Sequence, residues 1–92
     1  MKNRYPLAPI DAEGNTLKVG DHVFVFNIPI HLTHDMPEES KSIIESCRGT
    51  RKKIYEIDEY GFMGLEKIVV QTADEYVVEK FAIEPEFLRA SR

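Results

Sequence analysis

Glu56-Ile57-Asp58-Glu59-Tyr60-Gly61-Phe62 carries an apolar strand into an Asp-Glu-Tyr-Gly turn, and Val19-Gly20-Asp21-His22-Val23 opens an earlier strand. Gly and Asp stand where a chain reverses, and β-branched or aromatic residues flank them, which is the chemistry of short strands folded tightly back on one another. Together the two stretches predict a small, strongly bent sheet. Neither assembles the residues of a catalytic site.

Working outward from the second stretch, Asp21 to Ile28 is rich in β-branched and aromatic residues and too short for an independent helix, so it predicts a strand. Val23 and Val25 fall on one face and Phe24, Phe26 and Ile28 on the other, so both faces are apolar. Such a strand needs cover on both sides, from a barrel interior on one and from a helix, an arm or a second protomer on the other. A helix follows. After the loop Pro29–His34, Asp35 is placed to cap it with Glu38 reaching back three residues on, and Pro37 suits its first turn. Ile43, Ile44 and Cys47 supply the apolar spacing to Ser46, and Gly49 ends it in a left-handed conformation.

Lys53 to Asp58 predicts the next strand, and the Glu59-Tyr60-Gly61 turn returns the chain through Phe62–Glu66 and on through Ile68–Gln71. Gly64 in mid-strand suggests a bend or bulge. Tyr76 to Ile83 is a last long strand, with Val77, Phe81 and Ile83 on one face and Tyr76 and Val78 on the other. Pro85-Glu86 breaks it, and Phe87-Leu88 returns as a short turn or closing strand before a polar tail. Residues 1–9, with Pro6 and Pro9, read as an irregular arm. The turn at Asp11–Asn15 lets a short strand around Ile10 pair with one around Leu17. The chain is then one domain over residues 10–90.

Composition narrows the class. Ninety-two residues with 42% hydrophobic and 30% charged side chains describe one ordinary globular domain, burying roughly 60 to 65 per cent of its unfolded surface. The first residues lack the apolar run of a signal peptide, and no stretch approaches the ~20 apolar residues of a membrane span. The single cysteine, Cys47, excludes an internal disulfide, so the expected compartment is the cytoplasm. A net charge of −4 opposes long-range attraction of polyanions, which a local basic patch can still override.

The order of several short motifs resembles an uncharacterised group of small bacterial proteins with a Src-homology-3-like (SH3-like) barrel. The motifs are Gly20-Asp21-His22-Val23, Met36-Pro37 with the helix to Ser46, Cys47-Arg48-Gly49, Ile57-Asp58-Glu59-Tyr60-Gly61 and Ile83-Glu84-Pro85-Glu86-Phe87. They span residues 17–88, and the stretch Lys67 to Glu75 is longer than the group's pattern. The resemblance implies a mainly β fold, a small barrel of about five antiparallel strands with one short α-helix inserted after the first long strand. It implies no activity.

Candidate chemistry is sparse. His31, His34 and Asp35 are zinc-ligand types but match no usual spacing, and Asp35 has the helix cap as its simpler role. Cys47, with His22 or His34 as base, would be a nucleophile, yet it sits at the helix's apolar spacing as a small hydrophobe. Glu56, Asp58 and Glu59 fit turn chemistry and a solvated face better than acid–base work. Ile30 and Leu32, apolar in a loop, and Tyr60 and Phe62 at a hairpin tip are candidate partner contacts, with a plug for one end of the barrel as the structural reading of the first two.

The resulting expectation is a non-enzymatic protein-interaction module, binding a protein partner through Ile30, Leu32, Tyr60 and Phe62. One form of it is a homodimer self-associating through Phe24 and Phe26. No cofactor, metal or membrane is called for. The alternative is nucleic-acid binding by the basic run Arg48, Arg51, Lys52 and Lys53 beside Tyr55. A small enzyme ranks third, because nothing in the chain marks a pocket lined by titratable groups.

Overall fold

The computed structural model describes residues 5–91, so residues 1–4 of the expected arm lie outside the described part. Its strands form two three-stranded antiparallel sheets. In the first, β1 (His22–Val25) lies between β2 (Arg51–Lys53) and β6 (Leu88–Ala90). In the second, β4 (Met63–Gln71) lies between β3 (Glu56–Ile57) and β5 (Tyr76–Ile83). The first strand is shorter than its sequence predicts, ending at Val25. Beyond it come Asn27, a poor strand former, and Pro29, which has no amide hydrogen to pair.

The predicted strand Lys53–Asp58 is divided. Its first part is the end of β2 and its second part is β3, with Ile54 and Tyr55 at the bend between them. Ile54, fully buried, donates its amide to Asp21 O at 2.9 Å and accepts from Gly20 N at 2.8 Å, extending the pairing with the β1 side. Tyr55 N turns to the other sheet and donates to Gly64 O at 3.0 Å. One run of chain therefore serves both sheets.

Gly64 carries no bulge. The bulge falls further along β4, between Ile68 and Val70. What Gly64 provides is room, since a Cβ there would stand 3.0 Å from the ring of Tyr55.

Val23 and Val25 from the first sheet meet Met63, Leu65, Phe81 and Ile83 from the second, with Leu17, Ile28, Ile44, Cys47, Ile54 and Leu88 closing the core. Each fully buried Val, Leu or Ile contributes about 1.5–3 kcal/mol from leaving water. On β5 the expected alternation holds for Phe81 and Ile83, which are buried, whereas Val77 stays exposed near the strand's outer end. Ile28 also departs from the expected pattern. It is buried with the core because the strand has ended and its alternation no longer applies.

Helix placement corrects two expectations. The segment read as a loop contains a single helical turn, α1 (Ile30–Thr33), and the longer helix α2 spans Glu38–Glu45. Asp35 does not cap it. Pro37 occupies the cap position with no side-chain hydrogen bond: it keeps Met36 out of helical geometry, is itself extended at ψ 149°, and its carbonyl accepts the Lys41 amide at 2.9 Å, so the helix starts just beyond it. Gly49, at φ +80°, does end the helical region, and its amide donates to Val25 O at 2.6 Å. The helix packs on β4 and β5 rather than on the outer side of β1, where Phe24 and Phe26 remain 44% and 37% exposed.

Candidate interaction face

That outer side is the most distinctive surface of the molecule. Phe24 pairs directly with Arg51 on one neighbouring strand and with Arg89 on the other, so the three side chains form a row across the sheet. Directly paired residues share a face and stand about 4.5–5.5 Å apart at Cβ. His22 and Lys53, two residues along, pair on the same face. Phe26 continues it, because the Arg89 guanidinium lies over the Phe26 ring at 4.9 Å from its centroid. The Arg51 Nε donates to Ser91 Oγ at 2.7 Å, which holds that side chain in place. None of these outward strand positions is acidic.

The basic run 48–53 is therefore split. Arg51 and Lys53 project on the Phe24 side, while Lys52, paired with inward-facing Val23, takes the opposite side and is half-buried. Arg48 is engaged elsewhere, with Glu45 at 2.8 Å and Asn27 Oδ1 at 3.2 Å. Tyr55 lies past the bend under the Lys80 ammonium, 5.4 Å from its ring centroid. Lys52, Lys53, Tyr55, Glu66, Lys67 and Ile68 line an open groove of about 390 Å³. Arg89 was missed by sequence reasoning, which took the residues after Leu88 for a polar tail. Only the pairing of β6 with β1, far apart in the chain, brings it beside Phe24.

At the 58–62 hairpin, Asp58 Oδ1 accepts from the amides of Tyr60 at 2.9 Å and Phe62 at 3.0 Å, so this carboxylate builds the turn. The Tyr5 ring stands edge-on to Tyr60 at 6.2 Å and tilted against Phe62 at 5.8 Å. The two rings expected to meet a partner are thus touched by the chain's own arm. Ile30 is 77% exposed, whereas Leu32 packs on the core and Thr33 is buried.

The histidines diverge. His31 Nε2 meets Glu84 Oε2 at 2.8 Å, and His34 Nε2 meets Asp35 Oδ2 at 3.2 Å. Among the described residues no group of three or more His, Cys, Asp or Glu side chains is placed to hold a metal ion. Cys47 is buried, and burial pushes its thiol up from the usual range despite the attraction of Lys52 and Lys67 for the thiolate. It stands as a protonated core side chain. No helix among the described residues is long and apolar enough to cross a membrane.

No known family model matches the chain, and no curated protein is similar enough to count as a relative.

Proposed function

We propose that the chain is a non-enzymatic interaction module on an SH3-like barrel, working through the outer face of the β2–β1–β6 sheet. The observation that carries this reading is the Arg51–Phe24–Arg89 row, with Phe26 beside it. Exposed aromatic rings flanked by arginines are the side chains that contribute most at binding surfaces. The barrel reading draws support from the strand shared between the sheets at Ile54 and from the 3-10 turn Pro85–Phe87 leading into the last strand.

Self-association is the weaker form of the idea. A symmetric pairing of this face would set Arg51, Lys53 and Arg89 against their copies, and like charges held opposite one another are repulsive. The test is a photo-crosslinking amino acid at position 24 in cells, with position 76 on the other sheet as control. An adduct at 24 and none at 76 is expected. Equal labelling at both positions, or none at 24, would overturn the assignment.

A further inference from the structure

Resting on the face just assigned, we infer that its occupant is single-stranded nucleic acid, stacked by base on Phe24 and on Phe26, from whose ring Arg89 swings to phosphate, and held by phosphate at Arg51, Lys53 and Arg89. Three observations lead there. The chain as a whole carries −4, yet the outward positions of β1, β2 and β6 hold three cations and no carboxylate. The sign of the patch is opposite to that of the molecule, which selects an anionic occupant over a second copy.

The row geometry is the second. Neighbouring strands lie about 4.8 Å apart, so Arg51 and Arg89 flank Phe24 at a separation of roughly 9.6 Å across the sheet. The Arg51 side chain crosses β1 to Ser91, and the Arg89 guanidinium lies at Phe26, so a base on the Phe24 ring would have one arginine on its His22 side and the other on its Phe26 side, suited to the phosphates before and after it. Arginine serves here better than lysine because its planar fork bonds phosphate oxygens in pairs and also stacks on rings, as Arg89 does on Phe26.

The third is the spacing along β1. Phe24 and Phe26 are two residues apart, about 6.6 Å, or roughly twice the 3.4 Å rise per nucleotide of a stacked strand. Two bases on these rings must be unstacked from each other. That is available to a single strand and denied to an intact duplex.

Fluorescence anisotropy with labelled twelve-residue oligo(dT) and oligo(rU), and with a hairpin duplex, tests the assignment. Three phosphate contacts give a slope of log K against log salt near −2 for a single strand, a loss of roughly twentyfold from 50 to 200 mM. Binding of either single strand at least about tenfold over the duplex is expected. Phe24→Leu should weaken it by about tenfold and Arg89→Gln should make the slope shallower by about 0.7, with unchanged circular dichroism in both. No binding at 25 mM salt, or binding indifferent to both substitutions, would overturn the inference. If the position-24 crosslink then yields a protein, the face stands and its occupant is wrong; if it yields nothing, both fall.

Discussion

The carboxylate of Asp11 accepts the amide hydrogen of Ala90 at 2.6 Å, joining the N-terminal turn to the last strand across 79 positions of sequence. The same carboxylate takes the amides of Glu13 at 2.9 Å and Asn15 at 2.8 Å, and the Asn15 side chain at 3.1 Å. Burial alone would raise the proton affinity of this group, but these bonds outweigh it, and Asp11 is held below the usual carboxylate range.

A carboxylate with a depressed folded-state pKa contributes fully above its unfolded value of about 3.9, and that contribution disappears as pH falls through the folded value. Asp11→Ala is expected to cost about 2–3 kcal/mol at pH 7 and to remove part of the stability lost between pH 5 and pH 2. Urea unfolding at both ends of that range measures it. An unchanged acid profile would show that the carboxylate is not the group responsible.

Thr33 is 1% exposed and its hydroxyl has no hydrogen-bond partner among the described residues. Thr33→Val keeps the shape and deletes the buried polar atom, so it should stabilise the fold by about 1 kcal/mol. A midpoint that fell in urea would point to a hidden partner for the hydroxyl.

Gly61 combines φ +90° with a backbone so close to the arm that an added Cβ would lie 2.6 Å from Leu7 O. Gly61→Ala in the full chain should therefore cost more than the ~1–2 kcal/mol of left-handed backbone strain. Removing residues 1–8 should relieve the steric part and leave the conformational part. Equal costs in the two backgrounds would mean that the arm does not rest on Gly61 in solution.

Cys47, fully buried and with its thiol pushed toward the protonated form, should react with a soluble aromatic disulfide only as fast as the protein opens. Stopped-flow labelling with and without urea reads this. Rapid labelling of the native protein at pH 8 would contradict the burial.

Much of the strand content was legible because period-two alternation and turn residues are local signals. Asp58 and Gly61 announce their hairpin, and Phe81 and Ile83 announce their inward face. The helix start was misread because Asp35 and Glu38 have the right types for a capping box, while Pro37 between them governs the backbone more strongly. The bulge was misplaced at Gly64 because making room for Tyr55 leaves the same trace in sequence as making a bulge. The face itself was half legible. Phe24, Phe26 and Arg51 stand out in the chain, but their union with Arg89 depends on a pairing that no local pattern encodes.

The bend at Ile54 and Tyr55 has a consequence for how the molecule opens. Since one stretch of backbone is hydrogen-bonded to the β1 side through Ile54 and to β4 through Tyr55, peeling either sheet away pulls on the other. The two sheets should accordingly behave as a single cooperative unit in hydrogen exchange, their slowest amides exchanging only through global unfolding.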